Sequence, residues 1–198
     1  MLRETFLKGS DMRRLCAILA SLVAATSAFA EEQRYERVIS AVSMSFEPAV
    51  GEDRVLLILG PKNRADLYIY RGVDKTDAPL TPAFVKEDVT WNGPKASGRR
   101  PSLEVSDKGS LLIHSGESFN QRHYDQTLTV VFRDNNFLIV GVTREEEGLY
   151  DYEHRRQSCD LNLLTGKGKE NGKPVRVKAQ PIKLSEWSDF RLPHECAI

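Results

Sequence analysis

"QTLTVVFRDNNFLIVGVT", residues 126–143, decides the fold. Leu128, Val130 and Phe132 alternate with Thr127, Thr129 and Arg133, the period of two expected of a strand with one face in a core. "DNN" at 134–136 follows, and Asp and Asn accept left-handed backbone, so the chain is expected to turn tightly there. "FLIVGVT" is apolar at successive positions, which predicts a central strand with both faces covered.

Toward the C-terminus, "REEEG" (144–148) is expected to turn the chain at Gly148, with "LYDYEHR" (149–155) as the returning strand. Tyr150, Tyr152 and His154 then share one face and Asp151, Glu153 and Arg155 the other. Neighbouring acids diverge, whereas a glycosidase needs two carboxyls across one cleft. Glu145, Glu146 and Glu147 read as a solvated turn. "DLNLLTGKG" (160–168) predicts a strand end closed by a glycine turn in which Thr165 bonds the backbone, and "GKGKENGK" (166–173) a solvated hairpin tip.

Toward the N-terminus, "DRVLLILG" (53–60) and "ADLYIYRG" (65–72) are two strands separated by the turn signal "PKNR", and "SLLIHSG" (110–116) follows the turn "DKG". "YERVISAVSMSFEP" (35–48) fits a strand or a short helix. Residues 73–101 hold Pro79, Pro82, Pro94 and Pro101 among glycines and charges. They read as one long irregular connection with a helical turn near 83–88, and such loops are uncommon unless functional or mobile. The expected fold is mainly β, a single antiparallel sandwich or open twisted sheet over residues 31–198 with one long loop.

"MRRLCAILASLVAATSAFA" (12–30) has two arginines, an apolar run through Leu15, Ile18, Leu19, Leu22 and Val23, and Ala28-Phe29-Ala30, the three parts of a secretory leader. The run is shorter than the roughly 20 residues of a membrane span. Residues 1–30 are therefore expected to be a signal peptide cleaved after Ala30, with 1–11 as an upstream extension, and the protein periplasmic. The leader takes four basic and two acidic residues with it, leaving 24 against 26. That balance argues against a general nucleic-acid binder. Cys16 leaves too, so Cys159 and Cys196 remain as an even pair, expected to form a disulfide that ties down the tail.

The order of Phe137, Leu138, Ile139 and Gly141, an acidic hairpin, then Asn162, Leu163, Leu164, Thr165, Gly166 and Lys167 resembles uncharacterised bacterial periplasmic proteins related to integrin-like FG-GAP or VCBS-type repeat proteins. The resemblance implies an exported β-protein and no catalytic residues. Such repeats carry an aspartate-rich calcium loop. Here the equivalent place offers only Glu47, Glu52 and Asp53, too loosely spaced for an oxygen cage.

Histidines 114, 123, 154 and 194 lack zinc-ligand spacing, no G-x-S-x-G elbow is present, and "GKGKENGK" lacks the phosphate-loop pattern. No catalytic residue, metal or cofactor is assigned. Two features suit binding. Trp91, before Asn92-Gly93-Pro94, anchors a partner or folds back into the core. The Tyr150, Tyr152 and His154 face meets a partner or glycan, or packs on a neighbouring sheet. The expected function is a non-catalytic periplasmic binding protein with a protein partner in the cell envelope, such as an inhibitor or immunity-type module using the loop 73–101. The competing expectation is an envelope hydrolase with a site near His114, His123 and Asp125.

Overall fold

A computed structural model describes residues 37–75, 81–93, 100–119, 122–148, 156–189 and 192–197. It contains two antiparallel sheets and no α-helix among the described residues. The smaller sheet has the order β1 (Val38–Met44), β2 (Asp53–Leu59), β3 (Arg64–Tyr70), β4 (Phe84–Trp91). The larger begins with β5 (Ser102–Val105), β6 (Leu111–Phe119), β7 (Arg122–Arg133) and β8 (Asn136–Gly148). It continues with β9 (Gln157–Asn162), β10 (Lys167–Glu170) and β11 (Lys173–Arg176), each strand beside the next. The short β12 (Ile182–Lys183) pairs with β8 at Leu138 and Ile139, where β9 no longer runs.

The hairpin of residues 126–143 forms as its pattern predicts. Asp134 and Asn135 take left-handed backbone (φ 51° and 58°), and Leu128 and Val130 are fully buried. β8 lies between β7 and β9, so both of its edges are paired. The region 35–48 yields a strand, β1. Gly166 closes the turn after β9 with φ 66°, and Asn162 Oδ1 accepts the N–H groups of Leu164 and Thr165 there.

Two expectations are corrected. Residues 144–148 are not a turn: β8 continues through Gly148, and Glu145, Glu146 and Glu147 pair across the ladder with Asp125, Tyr124 and His123. Cross-strand pairing overrides the local polarity, because β7 supplies a partner for each residue. Within the stretch expected as an irregular loop, residues 84–91 form β4 with no helical turn. A bulge hides its period: Asp88 adopts φ 55°, and the register against β3 slips between Ala65 and Leu67. The prolines flank this strand.

The sheets share one core, to which Val55, Leu57, Leu67 and Ile69 contribute from the smaller sheet and Leu111, Ile113, Leu128, Ile139 and Leu161 from the larger. One lateral side is closed where Ser40 Oγ of β1 accepts the N–H of Leu103 in β5 at 3.0 Å. Trp187, 2 % exposed, fills the interior, and its indole N–H donates to the Val89 carbonyl at 3.1 Å. The disulfide Cys159–Cys196 joins β9 to the C-terminal segment, with both cysteines buried.

The two ends of the sandwich differ. At one, Phe46, Phe84 and Phe132 surround Phe137 with ring centroids 4.8–5.0 Å away. At the other the inner face of the larger sheet turns polar by rows. Ile113, Leu128, Val142 and Leu161 lie abreast, then Ser115, Gln126, Arg144 and Cys159, then Glu117, Tyr124 and Glu146.

Candidate functional site

This polar end opens into a cavity of about 530 Å3. It is lined from the smaller sheet by Lys62, Arg64, Asp88 and Trp91, from the larger by Glu117, Tyr124 and Arg144, and by Asp189 from the C-terminal segment. Three cations face three carboxylates and two aromatic rings.

The local chain explains their placement. Pro61 opens a 3-10 turn between β2 and β3 in which Lys62 and Asn63 both take left-handed backbone (φ 55° and 59°). Asn63 holds the turn: its Nδ2 donates to the Gly93 carbonyl, and its Oδ1 accepts from Asn92 Nδ2, both at 2.9 Å. The Asp88 bulge is held by its N–H donating to buried Asp66 at 2.7 Å. The bulge aims the Asp88 carboxylate at Arg64 Nε.

Arg64 Nη2 donates to Asp189 Oδ2 at 3.0 Å, and Gln126 Nε2 donates to Asp189 Oδ1 at 3.2 Å. One carboxylate thereby ties β3 of one sheet to β7 of the other. Burial is the main influence on Asp189 and pushes its pKa upward against the opposing pull of Arg64 and Gln126.

Each arginine caps a ring, the Arg64 guanidinium 5.7 Å from the Trp91 centroid and that of Arg144 3.9 Å from Tyr124. Arg144 Nη1 donates to Gln126 Oε1 at 3.2 Å, while its buried Nε and the buried indole Nε1 of Trp91 have no hydrogen-bond partner. Lys62 and Glu117 form no ion pair among the described residues. Among the described residues the cavity therefore offers one uncommitted ammonium, that of Lys62, and one uncommitted carboxylate, that of Glu117.

Burial, with the charge of Asp189 adding to it, pushes the Tyr124 phenol up to about 12. It stays protonated and neutral, available for hydrogen bonding. Between about 10 and about 12 the folded chain keeps a proton that the unfolded chain releases, so stability should fall as pH rises through that window. Tyrosinate absorbance should show one phenol ionising last, coincident with loss of stability, and its replacement in Tyr124→Phe should remove that step.

The outer face of the same strands carries a second constellation. Ser118 Oγ lies 2.8 Å from His123 Nδ1, and His123 Nε2 lies 3.1 Å from Asp125 Oδ2. His123 and Asp125, two of the three residues named for the competing hydrolase site, thus meet, joined by Ser118. His114 is engaged elsewhere, 3.0 Å from Glu104 Oε2 and 3.0 Å from Thr127 Oγ1. Acyl transfer requires N–H donors converging on an oxyanion. Ser118 lies on β6, which pairs with β7 there, while its pairing with β5 ends at His114.

Of the residues proposed for binding, Trp91 lines the cavity half-buried. Tyr150, Tyr152 and His154 lie outside the described residues. Asp53 and Glu47, considered for calcium, bond Arg71. Among the described residues no cluster of three or more His, Cys, Asp or Glu is arranged to hold a metal, and no helix is long and apolar enough to cross a membrane.

Comparison with protein-family models, with curated proteins and with solved structures gives no match to this chain.

Proposed function

We propose that the chain is an exported binding protein acting without catalysis, which takes a polar segment of a protein partner in the cell envelope between Trp91 and Tyr124. The observation that carries this reading is that two lining residues of the cavity, Lys62 and Asp88, sit on left-handed backbone. Such conformations cost about 1–3 kcal/mol each and are held here by the hydrogen bonds of Asn63 and Asp66, which fix Lys62 and Asp88 on the cavity wall. The uncommitted Lys62 ammonium and Glu117 carboxylate, beside the Trp91 ring, suit a peptide segment with both acidic and basic groups. An inhibitor or immunity-type module, docking one loop of an envelope enzyme, is the concrete form.

Affinity capture from an envelope extract tests it. The wild type should retain a discrete partner, and Trp91→Ala with Glu117→Ala should weaken retention about 30-fold, as loss of an interface anchor does. His123→Ala should leave it unchanged. Equal retention by the cavity variant contradicts the proposal.

One observation favours a second reading. The Ser118–His123–Asp125 chain has the order of a hydrolase relay. Labelling of Ser118 by a fluorophosphonate, abolished in His123→Ala, would establish that reading, and an unlabelled Ser118 would dismiss it.

A further inference from the structure

The edge of the larger sheet carries a charge pattern the cavity does not use. β10 and β11 form a hairpin through Asn171 and Gly172, and Lys167, Lys169, Lys173 and Arg176 lie on it with Lys178 just beyond. All five cations are exposed, and none has an ion-pair partner among the described residues. Glu170 is the hairpin's one carboxylate. The whole sequence is balanced, with 28 basic and 28 acidic residues, so this excess is local.

The register sharpens the pattern. Lys167 stands directly opposite Arg176 in the ladder and Lys169 follows on the same face with Asp160 of β9 opposite it, while Lys173 stands opposite Glu170 on the other face. Like charges directly opposed across a strand pair destabilise it. The sheet accepts that juxtaposition at its outermost strand pair, where an anionic surface would relieve it.

We infer that the β10–β11 hairpin is a docking surface for an anionic phospholipid membrane. The cations stand on an open ribbon with no enclosing pocket, so a single small anion has nothing to surround it. No aromatic side chain lies on the hairpin to stack a nucleic-acid base. What remains is a spread of point charges facing outward, which suits a surface that is itself a spread of phosphates. Each lysine or arginine held near such a surface strengthens binding about fivefold at low salt.

Vesicle co-sedimentation of the full chain tests this, with anionic phosphatidylglycerol/phosphatidylcholine vesicles compared with phosphatidylcholine alone. Arg3, Lys8, Arg13 and Arg14 near the apolar run also favour the anionic vesicles, and equally in every variant, so the readout is the change in preference between variants. The wild type should prefer the anionic vesicles and lose that preference at about 1 M salt. Lys167→Gln with Lys169→Gln and Arg176→Gln should lower the preference about a hundredfold while the circular dichroism and Tm stay those of the wild type. Lys108→Gln with Arg133→Gln, which removes two exposed cations elsewhere, should leave it intact. An unchanged preference in the triple variant overturns the inference. So does binding of duplex DNA as tight as that of the anionic vesicles, which would assign the hairpin to nucleic acid.

Discussion

Replacing Asp53 by alanine should lower the free energy of unfolding by about 4 kcal/mol, seen as a fall in the urea midpoint with little change in slope. Asp53 begins β2, is 0 % exposed, and its carboxylate accepts three hydrogen bonds. The donors are the Phe46 N–H at 2.9 Å, Arg71 Nε at 2.9 Å and the Gly72 N–H at 3.1 Å. The Arg71 guanidinium lies 4.4 Å from the Phe132 ring and donates through Nη2 to Glu47 at 2.8 Å. Alanine would strand two backbone donors and leave the largely buried Arg71 with Glu47 as its remaining carboxylate partner among the described residues, and removing one partner of a buried ion pair is costly. Glu47→Ala removes the more exposed partner of the same arginine and should cost under about 1 kcal/mol. Similar losses from both variants would show that Asp53 is not the keystone of this end.

Loss of the disulfide is the second large effect. Cys159 and Cys196 are 37 residues apart. Closing a loop of that length removes unfolded-state entropy worth about 4 kcal/mol. The reduced wild type should be destabilised by that amount, and Cys159→Ser with Cys196→Ser by more. Both sulfurs are buried, so the serine hydroxyls add to the loss. A variant within about 1 kcal/mol of the oxidised wild type would mean that the bridge does not constrain the unfolded chain. With a total stability of about 5–15 kcal/mol expected for a domain, either replacement leaves a fold close to its threshold.

Much of the fold was legible because its signals are local. Alternation at Leu128 and Val130, the Asp134-Asn135 turn, and the doubly apolar run that became β8 each need only neighbouring residues. β4 was not legible, since the Asp88 bulge breaks its period and prolines crowd its flanks. Nor was the far half of β8. Glu145, Glu146 and Glu147 look like a turn to any local reading and are held extended by pairing with β7.

The site was harder still. Trp91 was visible as an aromatic on a Pro/Gly stretch, but its companions are dispersed. Arg64 and Asp189 are 125 residues apart in sequence and 3.0 Å apart in space. Tyr124, Arg144 and Glu117 share the inward faces of their strands with Ser115, Gln126 and Glu146, polar residues that read locally as solvated, so nothing in their spacing marks them as a group. The one usable signal was the loss of apolar residues from the inner face after Leu128 toward the start of β7, which says that the core ends there.

The account stands on recognition through the polar end of the sandwich. A photo-cross-linking residue at Lys62, on the cavity rim, compared with one at Asn135, exposed in the β7–β8 turn at the other end of the sandwich, measures this in growing cells. The expected result is one discrete protein adduct from position 62, lost when Trp91→Ala is added, and no such adduct from position 135. The same adduct from both positions, or from position 62 with and without Trp91, would contradict it.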